Sequence, residues 1–315
     1  MRKAFVYIIL VFAAVGFSVF PVCAQAKTPA ANPARTITVV TEPNAAVWLN
    51  DIRFGTTGAD GKLAIKIVSA GAKKLRVRAM GFKEITQNLL PAQKGEVKIT
   101  LVKTTDEAEL AFQQGEALTS TDREKAIEKY KEALKLRPKY VEAYLGLARV
   151  LADNGDGEGA LAAVKNAKKL RPLLPEATAI EGRIHKSGGD EALAIAAFKR
   201  SIAEGKGFQP EAHTGLGMIY REKAEGFGST GDFESEKENY LLAVAELKKA
   251  VAQLAGAPDA IVVYQLLGDS YERAKMLTEA IKVYEEFLRV FPDADEASIV
   301  RSFITQIQKQ MAEQK

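Results

Sequence analysis

Hydrophobic positions change their period twice along the chain. Arg2 and Lys3 precede an apolar run from Ala4 to Phe20, which Pro21 ends ahead of Val22-Cys23-Ala24-Gln25-Ala26. From Thr36 to Lys103 the apolar residues alternate in short runs: Ile37 and Val39, Val47 and Leu49, Leu63, Ile65 and Ile67, Leu75 and Val77, then Val97, Ile99 and Leu101. A period of two is that of half-buried strands, and about six of them separated by Asp60-Gly61, Gly71 and Gly81 predict a small sandwich. Beyond Asp106 the spacing becomes three to four, the period of helices that bury one stripe.

The first pattern has the layout of a secretory signal peptide: a basic start, a short apolar stretch, and small residues at Ala24 and Ala26 for cleavage. An uncleaved membrane anchor is the alternative. Cys23 lacks the small residues before it that lipid attachment uses, so it is expected to leave with the signal. Lys27 to Arg35, rich in Ala, Pro and Thr, reads as a linker.

Within the alternating region, Glu42-Pro43-Asn44-Ala45, Val47-Trp48-Leu49-Asn50-Asp51, Gly55-Thr56-Thr57, Gly71 and Gly81-Phe82 resemble the PEGA domain, a surface-associated β module. Asn44 and Asp51 stand where that family often has Gly, and both residue types tolerate left-handed backbone. Thr57-Gly58-Ala59-Asp60-Gly61-Lys62-Leu63 with Gly71 and Gly81-Phe82 is equally similar to the carboxypeptidase regulatory-like domain. Both families imply a sandwich, and neither implies a reaction.

The helical region repeats itself. Pro138 and Pro172 lie 34 residues apart, enclosing Tyr144, Leu147, Ala148, Leu151, Gly155, Ala160, Val164 and Ala167. Tyr264, Leu267, Gly268, Tyr271, Ala280, Tyr284 and Pro292 fill the same slots near the end, and Gly115, Ala126, Tyr130, Ala133 and Pro138 near the start. This pattern resembles the tetratricopeptide (TPR) repeat. A third unit, with Gly182, Gly189, Ala194 and Phe198, has Thr178 and His185 where aromatics are usual, and its Pro arrives late at Pro210. A fourth has Gly217 and Ala243 26 residues apart, against 12 between Gly268 and Ala280, which implies an insertion of about 14 residues. Gly226, Gly228, Ser229, Thr230 and Gly231 are expected to form a flexible tip there. Ile299, Phe303 and Ile307 give the last segment a stripe that can cover the open end of the array.

The fold expected is therefore α+β and multidomain, a small β-sandwich followed by an α-helical TPR solenoid. Its parts are a signal peptide (1–26), a linker (27–35), a PEGA-like sandwich (36–103), five repeats (106–292, with an insertion at 224–239) and a capping helix (293–315).

Charge sharpens this division. The chain has 44 Lys plus Arg against 40 Asp plus Glu, or +4, and removal of the signal leaves +2. Residues 36–103 carry 11 basic against 5 acidic residues, +6, whereas residues 104–315 carry 29 against 35, −6. So small a net charge gives no reason to expect nucleic-acid binding. One Cys and two His exclude a disulfide framework and a Cys-rich zinc site and leave little for metal-hydrolase chemistry. No nucleophile-elbow, phosphate-loop or zinc-protease pattern occurs, so no catalytic, cofactor-binding or metal residue is assigned and no enzyme is expected. His185 and His213 are expected to pack between helices.

The TPR resemblance implies a scaffold whose successive first helices line a concave groove for a protein or peptide. The helical register puts Glu109, Phe112 and Glu116, then Glu142, Leu145 and Arg149, on that surface. Glu176, Ala179, Arg183 and Lys186 follow, then Glu211, Thr214, Met218 and Arg221, and finally Val262, Gln265, Asp269 and Glu272. Arg149, Arg183, Lys186 and Arg221 form a basic patch suited to the carboxylates of a partner, with Leu145 and Met218 as apolar contacts. Glu142, Glu176 and Glu211 fall in first turns, where negative charge favours the helix dipole. On the sandwich, Arg76, Arg78 and an outward Trp48 are candidates for an acidic polymer or a sugar ring. The function expected is an exported adaptor, periplasmic or extracellular, whose β domain docks to an envelope component. The alternative is a glycan- or peptidoglycan-binding module with the repeats as spacer or oligomerisation element. A membrane would be met only through an uncleaved N-terminus.

Overall fold

The computed structural model describes residues 35–67 and 73–313, all within one compact unit. The predicted signal peptide, Cys23 and Gly71 lie outside the described residues. The linker ends one residue early: Arg35 opens β1, is buried, and donates from Nη1 to the Leu90 carbonyl at 2.8 Å.

Among the described residues seven strands form two sheets: β1 (Arg35–Val40), β2 (Ala46–Leu49), β3 (Ile52–Thr56), β4 (Lys62–Ile67), β5 (Lys73–Arg78), β6 (Ile85–Leu89) and β7 (Gly95–Lys98). One sheet has the order β4-β1-β7, with β1 antiparallel to β4 and parallel to β7; the other runs β3-β2-β5-β6, antiparallel throughout. Ile37, Val39, Val47, Leu49, Ile65, Leu75, Val77 and Val97 fill the space between them. Ile99 and Leu101 keep the alternation and the burial, although β7 ends at Lys98. Asn44, Asn50 and Asp51 have φ of 55°, 49° and 66°, so the turns survive without glycine. Gly61, at φ +70°, is different: a Cβ there would sit 2.2 Å from the Thr41 carbonyl oxygen, a contact no side chain tolerates.

Among the described residues eleven helices follow. They are α1 (Glu107–Leu118), α2 (Arg123–Leu136), α3 (Val141–Asp153), α4 (Gly157–Leu170), α5 (Pro175–Ser187), α6 (Glu191–Glu204), α7 (Pro210–Ser229), α8 (Phe233–Leu254), α9 (Ala260–Arg273), α10 (Leu277–Val290) and α11 (Ala297–Glu313). The first ten pair in sequence as antiparallel hairpins. Asp122, Asp156 and Asp232 cap second helices by accepting from the backbone N–H three residues on. Helices α2 and α4 stop ahead of Pro138 and Pro172, and Pro175 and Pro210 open α5 and α7, where a missing N–H costs nothing.

Glycine against an aromatic ring locks the hairpins. Tyr130 lies between Gly115 of its own pair and Gly146 of the next, and Phe198 sits likewise between Gly182 and Gly215. A Cβ on Gly146 would approach the Tyr130 ring to 2.5 Å, and one on Gly215 the Phe198 ring to 2.3 Å. The third unit compensates for its missing aromatic with polarity. Thr178, fully buried, donates to Glu204 at 2.6 Å and accepts from Lys168 Nζ at 2.9 Å.

Two expectations change. The turn in the insertion is shorter than expected: α7 runs through Gly226 and Gly228, and only Thr230 to Asp232 turn the chain, with Gly231 at φ +82°. At 20 and 22 residues α7 and α8 exceed their counterparts by about two turns and project as a helical hairpin. The capping stripe of α11 is Val300, Phe303, Ile304, Ile307 and Met311, while Ile299 is half exposed. A strict four-residue step drifts around a 3.6-residue helix, so Ile299 falls off the face that packs.

Candidate partner-binding groove

The first helices α3, α5 and α7 pack directly on one another, which places them on the inside of the curve. Their polar residues meet across that inner wall. Arg149 of α3 donates from Nη2 to Glu176 of α5 at 3.0 Å and to Glu211 of α7 at 3.0 Å, reaching two helices away. Arg183 of α5 lies 3.7 Å from Asp153 of α3, and Lys186 bonds Glu222 of α7 at 2.6 Å. Arg221 of α7 pairs with Asp269 of α9 at 2.7 Å and donates to the Leu266 carbonyl and Ser270 Oγ.

The expected basic patch is thus corrected to a ladder of ion pairs that ties neighbouring repeats. Each cation has a carboxylate within 4.0 Å, because acids of the neighbouring first helices fall within reach of its long side chain: Arg149, Lys186 and Arg221 meet acids of later helices, and Arg183 meets Asp153 of the helix before it. Glu176 and Glu211 are the missing half of the arrangement, and Glu142 likewise holds Arg171 at 3.2 Å. Burial pushes the Glu211 carboxyl up, but the charges and hydrogen bonds of Arg149, with Arg183 nearby, outweigh it and hold it below the usual range. Leu145 is also corrected: it is buried in the core and meets no partner, because α3 turns that side onto its neighbours. Met218 and Val262 stay exposed.

The sandwich candidates meet the same fate in part. Arg78 is buried, donating to Glu84 and to Glu116 of α1, with its guanidinium 4.7 Å from the Phe112 ring centroid. Its alternate position on β5 points it at α1 rather than at solvent. Arg76 and Arg78 lie 4.5 and 5.4 Å from the Trp48 ring centroid, so the indole stacks on these guanidiniums. Arg76 also approaches Asp51 at 3.7 Å and Glu84 at 3.9 Å.

Sequence reasoning missed this junction. Gln113 of α1 accepts from Gly81 N–H and donates to the Phe82 carbonyl, both at 2.8 Å, fastening the β5–β6 turn to the first helix. Phe112, Gln113 and Glu116 therefore serve the sandwich, and the free inner wall starts at α3. The sandwich touches the array again near its other end, where Lys66 Nζ donates to the Arg289 carbonyl at 3.1 Å and Ile52 packs against the core shared by α8 to α11.

His213 packs between helices as expected. His213 is buried between Glu246 Oε2 at 2.6 Å and the Gly207 carbonyl at 3.3 Å, and His185 is 3.9 Å from Asp190. Among the described residues no cluster of His, Cys, Asp and Glu has the arrangement of a metal site, and no helix is long and apolar enough to cross a membrane.

Family profiles match two stretches of these helices: one described as TPR repeat over residues 122–155, and one described as Tetratricopeptide repeat over residues 263–294. The chain contains tetratricopeptide repeats. Among solved structures, a thermophilic TPR protein of Thermus thermophilus is similar at 19% identity and TM-score 0.46, covering 63% of this chain and 99% of that one. MamA is similar at 24% identity and TM-score 0.40, covering 62% and 96%. The Cut9-Hcn1 hetero-tetramer of the APC/C gives 17% identity and TM-score 0.49, covering 66% and 37%. No curated protein matches. The TPR matches begin after the sandwich, whose PEGA resemblance rests on its own residues.

Proposed function

We propose that the chain is an exported, non-catalytic adaptor whose TPR groove holds a segment of a protein partner while its PEGA-like domain docks to an envelope component. One observation carries the groove reading. Helices α3, α5 and α7 pack in succession into one wall that Arg221 links to α9 through Asp269, Met218 and Val262 stand exposed along it, and the ion pairs tie its repeats together. Export is supported by the basic start, apolar run and small residues of 1–26. The polymer-binding alternative is weakened because Arg78 and Trp48 are engaged within the protein. A photo-crosslinking residue placed at Met218 of the full chain, in its native cells, is expected to capture an envelope protein that the same residue at exposed Glu124 of α2 does not. Identical adducts at both positions would refute the groove reading.

A further inference from the structure

We infer that the segment held in the groove is cationic, an extended peptide rich in lysine or arginine, resting on the groove reading above. Four cations line the inner wall: Arg149, Arg183, Lys186 and Arg221. Six carboxylates lie within 4.0 Å of them: Asp153, Glu176, Glu211, Glu222, Glu225 and Asp269. The ladder is therefore −2, and adding Arg273, which shares Asp269, together with the neighbouring Glu272 leaves it so.

Depth separates the two signs. Lys186 is 22% exposed and its partner Glu222 57%; Arg221 is 14% exposed, against 50% for Glu225 and 39% for Asp269. Arg149 and Arg183 are likewise more sheltered than Glu176 and Asp153, and only Glu211 is as deep as the Arg it holds. Arg183 Nε and Nη2 lack hydrogen-bond partners, but both atoms are sealed from solvent, so an incoming carboxylate does not meet them. The cations form the floor and the carboxylates the rim. On α7 the rim acids Glu222 and Glu225 follow Met218 on one stripe, so an apolar contact is succeeded by two negative charges.

An approaching chain thus meets carboxylates first, each half-neutralised from below. A lysine or arginine can share such a carboxylate, whereas an acidic peptide must displace a buried partner to reach a cation. A concave wall of one sign also concentrates opposite charge.

The test uses the full chain and two short fluorescein-labelled peptides, one of Lys and Ala, one of Glu and Ala, read by fluorescence anisotropy. The Lys peptide is expected to bind, and to weaken at least ~10-fold between ~0.05 and ~0.5 M salt. Glu222→Lys/Glu225→Lys is expected to weaken it at least ~10-fold more than Glu124→Lys/Glu128→Lys, an equal charge change on exposed α2. Circular dichroism checks that both variants keep the helical signal of the unaltered chain. Preference for the Glu peptide overturns this inference and leaves the groove reading standing. Equal losses in the two variants, or no binding of either peptide, overturn the inference, while crosslinking at Met218 judges the groove separately. Self-association abolished by the groove reversal would make a second copy the occupant and overturn a peptide ligand.

Discussion

Replacing Gly146 by alanine gives opposite answers according to whether Tyr130 is locked as described. On an open helix, Gly→Ala stabilises by about 0.5–1 kcal/mol, because alanine loses less backbone entropy. At Gly146 the new Cβ would lie 2.5, 2.6 and 2.9 Å from Cε1, Cζ and Oη of Tyr130, against an ordinary contact of 3.4–4 Å. The ring would have to retreat by about 1 Å, yet it is 2% exposed and is hemmed in on the far side at Gly115, where even a Cβ would come within 3.0 Å of it. Overpacking of that kind costs about 1–3 kcal/mol, which outweighs the propensity gain. Gly146→Ala is therefore expected to lower the urea midpoint of the helical circular dichroism signal. Gly226→Ala, in α7 with open space around it, is expected to raise it. In a Tyr130→Leu background the Gly146→Ala change should turn neutral or stabilising, because the obstruction has gone. A higher midpoint for Gly146→Ala in the otherwise unchanged chain would refute the lock.

Two further predictions concern charge. Arg149→Met leaves Glu176 and Glu211 without their shared partner and is expected to cost about 1–2 kcal/mol at neutral pH, discounted for partial exposure. Since the Glu211 carboxyl is held below its unfolded value of about 4.5, the stability it contributes is present above that pH and lost as pH falls through its folded pKa. The unaltered chain should lose midpoint more steeply than Arg149→Met between about pH 5.5 and 3.5; parallel curves would disprove the pairing. At the junction of sandwich and array, Arg78→Met and Glu116→Gln should be coupled by about 1–3 kcal/mol in a double-mutant cycle of unfolding midpoints, and strict additivity would show that the contact does not form.

The fold was largely legible because each level of the sequence pointed the same way. The two-residue period of Ile37 and Val39 or Leu75 and Val77 could only bury one face of a strand. The 34-residue recurrence from Pro138 to Pro172 fixed the pairing of helices that no single helix could have shown. Strands β3 and β6 were missed because Ile52-Arg53-Phe54 and Ile85-Thr86-Gln87 lie on sheet edges and bury little. The candidate site was legible only in part. Register puts Arg149 and Arg221 on the inner wall, but it does not say that Glu211 and Asp269 arrive beside them, since that depends on how tightly the array curves. Arg78 failed for a related reason: alternation assigned it to an outer face, and a second body turned out to cover that face.

The bond from Arg149 to Glu211 has a mechanical meaning. In a chain of repeats that touch only their neighbours, tension opens one joint at a time and the compliance of the joints adds. A tie that skips one repeat places two joints in parallel, so the segment from α3 to α7 resists stretching as a single stiff link. Pulled from its two ends, the array should yield first outside that link, leaving the middle of the inner wall with its shape intact.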